Sequence, residues 1–224
     1  MDADNDILTR LGQTVANAVE YIADMARGTW NAIRERVRTI WGSLFDVETD
    51  VDNADELEIA RRQAVSHALR GILGDSPIQA LCETSTEERK KVLSMLVERV
   101  AEKLNIPVPS FRVKIIKQGI AGFYEFGTDR VVVSRAEVDR FPLDAEDAAE
   151  LLDTLLHELY HAFQHHAITN PSMHGITREQ AKIWRRNFDN YISPEQNARL
   201  YHEQSVEVTA RLFAHEVVCT FRGE

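Results

Sequence analysis

Apolar residues recur at three- and four-residue spacing over most of this chain, the period of amphipathic helix. Leu11, Val15, Ala18, Ile22 and Met25 form one such stripe, and Trp30, Ile33, Val37, Ile40 and Leu44 carry it past Gly28. Residues 1–50 therefore read as a helical N-terminal extension, either one helix or two abutting ones. The acidic run from Asp46 to Asp55 reads as a linker or exposed loop. Residues 51–224 read as the main domain. Within it, 56–72 has a helical pattern. Ser85-Thr86-Glu87-Glu88 is a capping box that opens a helix to about Leu104, and Asn105-Ile106-Pro107-Val108-Pro109 stops it.

After Pro109 the period changes from helical to alternating. Phe111–Lys117 is rich in β-branched residues, Ala121–Gly127 follows, and Arg130–Ser134 makes a third run. Gly127-Thr128-Asp129 is turn chemistry between the last two. A small antiparallel or mixed sheet is expected here. Helical spacing then returns in Ala148, Leu151, Leu152, Leu155, Leu156, Leu159 and Phe163. A further helix is expected over Thr177–Asn190. Ser193-Pro194-Glu195-Gln196 has the N-cap, first-turn proline and third-position glutamine of another helix start. That helix is expected to run through Ala198, Leu200, Val206, Ala210 and Phe213 towards Val218. The fold class is α+β and predominantly helical.

Composition narrows the function more than the fold. A net charge of −10 argues against a nucleic-acid role. No apolar run approaches the roughly 18 residues of a membrane span. The start MDADNDILTR has neither the basic nor the apolar region of a secretory signal, so a cytoplasmic location is expected. Two cysteines, Cys82 and Cys219, build no disulfide framework.

The most informative motif is His157-Glu158-Leu159-Tyr160-His161. Residues i and i+4 share one helix face, so the two imidazoles are spaced to hold one metal ion. Glu158, about 100° round the helix, can stand beside that ion as a base acting on a water. The plainer alternative is a polar patch on a helix. For a third ligand the downstream helix offers two carboxylates one turn apart, Glu203 and Glu207. His165 continues the histidine row. Ala167, however, occupies the position where the longer three-histidine pattern needs its third histidine.

These residues resemble a known family. His157 to Gln164 (HELYHAFQ) resembles the active-site helix of gluzincin-type zinc metallopeptidases. Glu207 to Ala214 (EVTARLFA) resembles the ExxAxxFA pattern of small bacterial members, the ImmA/IrrE-like peptidases and related toxin-type domains. The resemblance covers a core of about residues 105–222 and implies a zincin-like fold with the sheet before the motif helix. It implies Zn²⁺ held by His157, His161 and Glu207, with Glu158 as general base; Glu203, one helical turn earlier, is then placed to orient a ligand histidine or to serve as an alternative ligand. It also implies an edge strand that pairs with a peptide or protein substrate, for which Gly122, Phe123 and Tyr124 are the candidates. An oxyanion-stabilising Tyr or His is expected, and Tyr124, Tyr160, Tyr191, Tyr201, His165, His174 and His202 are all available. Two features depart from the family. Arg211 stands where an asparagine commonly follows the alanine, and the gap between the two motif helices is longer. The expected function is zinc-dependent peptide-bond hydrolysis. The alternatives are a catalytically silent zinc-binding interaction or regulatory protein, and a protease delivered as an effector or toxin. The N-terminal helix is expected to pack on the catalytic core as plain structure; the alternatives are a surface for self-association or partner docking, and an inhibitory segment that covers the cleft.

Overall fold

A computed structural model describes residues 48–222, with side chains from residue 56 onward, and the expected N-terminal helix lies outside the described residues. From Ala54 the chain forms one compact unit. Its elements run α1 (Glu48–Leu73), α2 (Pro77–Cys82), α3 (Thr86–Leu104), β1 (Ser110–Lys114), β2 (Gly122–Glu125), β3 (Arg130–Ser134), α4 (Arg135–Val138), α5 (Ala145–Ala167), α6 (Arg178–Asp189), α7 (Pro194–Glu203) and α8 (Ser205–Arg222). The α+β class with helix predominant is what the sequence led one to expect. The acidic run does not behave as a linker: α1 already begins at Glu48. Acidic residues are favoured beside the positive end of a helix dipole, so a charge run there is compatible with helix.

Local signals account for most helix ends. The Ser85 and Glu88 pair caps α3 reciprocally, and Asn105 closes it in the left-handed region at φ 55°. Asp144 caps α5 by accepting the Asp147 N–H at 2.8 Å. Gln196 accepts the Ser193 N–H at 2.8 Å at the start of α7.

The sheet is mixed, in the order β1-β3-β2. β1 runs parallel to β3 and β2 antiparallel to it. The all-valine centre of β3, Val131–Val133, is fully buried, as befits a strand covered on both faces. β1 stops at Lys114, short of the expected Lys117. The turn after β2 is a 3₁₀ helix, Phe126–Thr128, closed by Asp129 at φ 46°. β2 is an edge strand. Ser134 donates to the Ala121 carbonyl at 2.7 Å. Bonded and non-bonded pairs alternate in an antiparallel ladder, so the main-chain groups of Gly122 and Tyr124 point away from β3.

α5 is the centre of the unit. It packs most extensively on α8 and also touches α2, α3, β2 and β3. That surrounding explains why residues on all its faces are buried, from Ala148 and Ala149 through Leu155 and Leu156 to Phe163 and Ala167. The strand and the helix approach closely at one point. A Cβ on Gly122 would lie 2.8 Å from Thr154 Cγ2, 2.9 Å from the Val132 oxygen and 3.3 Å from Glu158 Cγ. Only hydrogen fits there. Gly122→Val is expected to destabilise the fold by about 1–3 kcal/mol, the usual cost of overpacking. The check is the thermal midpoint; an unchanged value would mean that β2 has room to move.

Candidate metal centre

His157 and His161 lie one turn apart on α5, where the backbone is held on every side. Their rings meet edge to face with centroids 4.6 Å apart, and their Nε2 atoms are 3.0 Å apart. Glu207, in the first turn of α8, brings its carboxylate to the same point. Oε2 is 3.3 Å from His157 Nε2 and Oε1 is 3.2 Å from His161 Nε2. Glu158 completes the group. It, His157 and His161 each offer a ligand atom within 4.8 Å of the others.

The three closest donors match a metal site by spacing. Ligand atoms about 2.0–2.1 Å from a tetrahedral centre stand about 3.3 Å from one another. The separations here are 3.0, 3.2 and 3.3 Å. Glu207 is fully buried, yet its Oε2 has no hydrogen-bond partner. Buried polar atoms are almost always partnered. Two imidazoles and a carboxylate with an unanswered oxygen are the donor set that Zn²⁺ or a similar borderline ion takes.

Electrostatics agree with the geometry. Burial alone would raise the Glu207 carboxyl, but the two imidazoles hold it well below the usual carboxylate range. Burial works against charge on His161, but Glu207 and Glu158 outweigh it and lift the ring above its ordinary value. Glu158 moves the other way. Burial raises it, and the neighbouring imidazoles and the Tyr124 backbone N–H offset only part of that. Asp153, one turn before His157, is pushed up to about 6 by burial.

Gln164, which the sequence reading did not single out, fixes the orientation of the site. Its Oε1 lies 2.8 Å from His161 Nδ1. Its amide donates to the Val206 carbonyl at 2.9 Å and to Thr209 Oγ1 at 2.8 Å. One buried side chain thus sets the His161 tautomer and ties α5 to the turn that carries Glu207. The available signal was a glutamine one turn beyond the second histidine of an otherwise apolar face.

Glu203 does not join the site, contrary to its expected role. The expected single helix from Ser193 to Val218 breaks at Gln204, whose backbone is extended at φ −62°, ψ 131°. The Gln204 side chain bonds both ways to Ile192, accepting its N–H and donating to its carbonyl, each at 2.9 Å. Glu203 is left on the exposed face of α7, paired with Arg199 at 3.0 Å. Among the other polar candidates, Tyr160 stacks on Phe213 in the core, His202 is exposed, and His174 packs edge-on against Phe163. Tyr191 and Tyr201 line the cavity beside His157, Glu158 and Glu207, and so do Gly122, Phe123 and Tyr124. The Tyr191 hydroxyl donates to Glu207 Oε1 at 2.7 Å. Arg211, at the position of departure from the family, brings Nη1 to 3.5 Å from Glu207 Oε2.

No protein-family model, curated protein or solved structure matches this chain.

Gln164→Leu is expected to weaken metal affinity about 10–100-fold, as loss of an orienting partner generally does, measured by competition with a chelator. Metal-free protein should be most stable between about pH 4.5 and 6.5. Glu207, lowered from 4.5, adds stability above that value that is lost as pH falls through its folded value. His161, raised from 6.5, adds stability below that value that is lost as pH rises through its folded value. Glu158 and Asp153, both raised, lose stability as pH rises from their ordinary values, Asp153 by about pH 6, and so pull the optimum towards the acidic end of that range. Thermal midpoints against pH should flatten on both sides in Glu207→Gln; an unaltered profile would show that the buried carboxylate does not govern it.

Proposed function

We propose that the chain is a zinc-dependent metallopeptidase of the gluzincin type, with a zincin-like core. The observation that carries this reading is the fully buried Glu207 carboxylate, one oxygen unpartnered, facing two imidazole nitrogens at 3.3 and 3.2 Å. Glu158 stands beside it, near but not between them. His157, His161 and Glu207 would hold the ion. When bound, it supplies a Lewis acid that polarises a carbonyl and makes a water more acidic.

The remaining groups fit peptide-bond hydrolysis. Glu158, raised towards neutrality by burial, is suited to take a proton from the attacking water and return it to the leaving amine. The outward main-chain groups of β2 border the same cavity, whose volume is about 150 Å³. Gly122 can pair there with an extended peptide, as an exposed sheet edge does. The phenols of Tyr191 and Tyr201 are pushed above their ordinary range, burial being the first cause and Glu207 the second. Both therefore stay protonated and can donate to a developing oxyanion. A closed structural metal site would need a fourth protein ligand. Glu203 faces solvent, and His165 bonds to Tyr124 instead.

Purified protein should carry one zinc per chain, as a mononuclear site requires. Glu207→Ala should lose it and Glu203→Ala keep it. Glu158→Gln should keep the zinc while cleavage of unstructured peptides falls by about 10²–10⁴-fold, the usual worth of a general base. Full activity in Glu158→Gln, or tight zinc binding retained at the buried centre in Glu207→Ala, would sink the reading.

A further inference from the structure

A second cluster of metal-ligating side chains lies at the opposite end of the visible histidine row, where α5 ends. Asp129, His165 and His166 each offer a ligand atom, and the three atoms lie within 4.8 Å of one another. We infer that they form a second divalent-metal site, which joins the β2–β3 turn to the last turn of α5.

Three features support it. His166 Nε2 and Asp129 Oδ2 are 3.3 Å apart, the edge length of about 3.3 Å found between ligands of one tetrahedral ion. Second, Tyr124 already gathers the other donors. Its hydroxyl donates to Asp129 Oδ1 at 2.7 Å and lies 2.8 Å from His165 Nδ1. The carboxylate and the imidazole are thereby drawn together before any ion arrives. Third, the charge balance calls for a cation. Among the described residues, Asp129 has no Lys or Arg partner and pairs only with His166. Both histidines occupy the last turn of α5, where the helix dipole favours positive charge. Two imidazoles and one carboxylate select borderline ions such as Zn²⁺ or Co²⁺ over Mg²⁺ and Ca²⁺. All three residues are half-exposed, so binding here is weaker than at the buried centre and leaves coordination positions to water.

The site bears on the first one through β2. Tyr124 is the hub of the second cluster, and its backbone N–H is directed at Glu158. An ion at Asp129 therefore stiffens the strand edge that borders the cleft.

The test is a titration of metal-stripped full-length protein with Co²⁺ alone. Bound equivalents are counted by calorimetry and by the visible absorption of the ion. Wild type should bind two equivalents, the second more weakly. Asp129→Asn and His166→Gln should each bind one, and Glu207→Ala should keep only the weaker. His166 makes a single polar contact at the surface, so its glutamine variant keeps the proposal testable if Asp129→Asn misfolds. A single equivalent in wild type that disappears in Glu207→Ala would overturn this site and leave the buried centre standing. A second equivalent that survives in His166→Gln would overturn it as well. Retention of the stronger equivalent in Glu207→Ala would count against the peptidase centre instead.

Discussion

A carboxylate taken wholly out of water must be answered by positive charge, and Glu207 is that carboxylate. Its nearest charged partners are two rings that can be neutral, with the Arg211 guanidinium farther off at 3.5 Å, so the answer strengthens when the rings are protonated or when a cation joins them. This one requirement explains why the surrounding elements are held so firmly. α5 is packed on all sides, α8 delivers Glu207 from its first turn, and Gln164 joins the two helices at the level of the site. Loosening any of these would leave a buried charge without its partners, which costs several kcal/mol. The core holds the polar centre in place, and the polar centre in turn sets the register in which α8 packs on α5.

Much of this was legible in the residues because it depends on near neighbours. Caps act within one turn, so Ser85 with Glu88 and Ser193 with Gln196 marked where helices begin. His157 and His161 share a face because of the helical repeat itself. The unread parts depend on residues far apart in sequence. Nothing near Gln204 shows that its side chain will reach Ile192, and that reach ends α7 and separates Glu203 from Glu207. The mixed sheet depends on β1 pairing with β3 across the whole of β2. The acidic stretch at the start of α1 misled because charge runs suit both loops and helix starts. Glu207 could be preferred to Glu203 only through resemblance to a pattern; its burial supplies the physical reason.

Gly122 shows how backbone and chemistry are joined. The edge strand borders the cleft because it can lie directly against α5, and it can do so because one residue has no side chain. Thr154 and Glu158 occupy the space that a Cβ would need. The same approach brings the Tyr124 N–H towards the base, so strand position and base ionisation are coupled. This strand–helix contact is therefore also a part of the site.

The break at Gln204 divides the walls of the cleft by their local stability. The histidines and Glu207 stand on α5 and α8, whose inner faces are buried throughout. Tyr201 stands on α7, which buries none of its residues. Segments with few buried contacts open by local fluctuation, whereas core helices exchange their amide hydrogens only near global unfolding. The tyrosine wall can therefore part and reclose many times while the ligand helices stay shut. Access to the cleft and the integrity of the buried His157, His161 and Glu207 cluster are governed by different free energies.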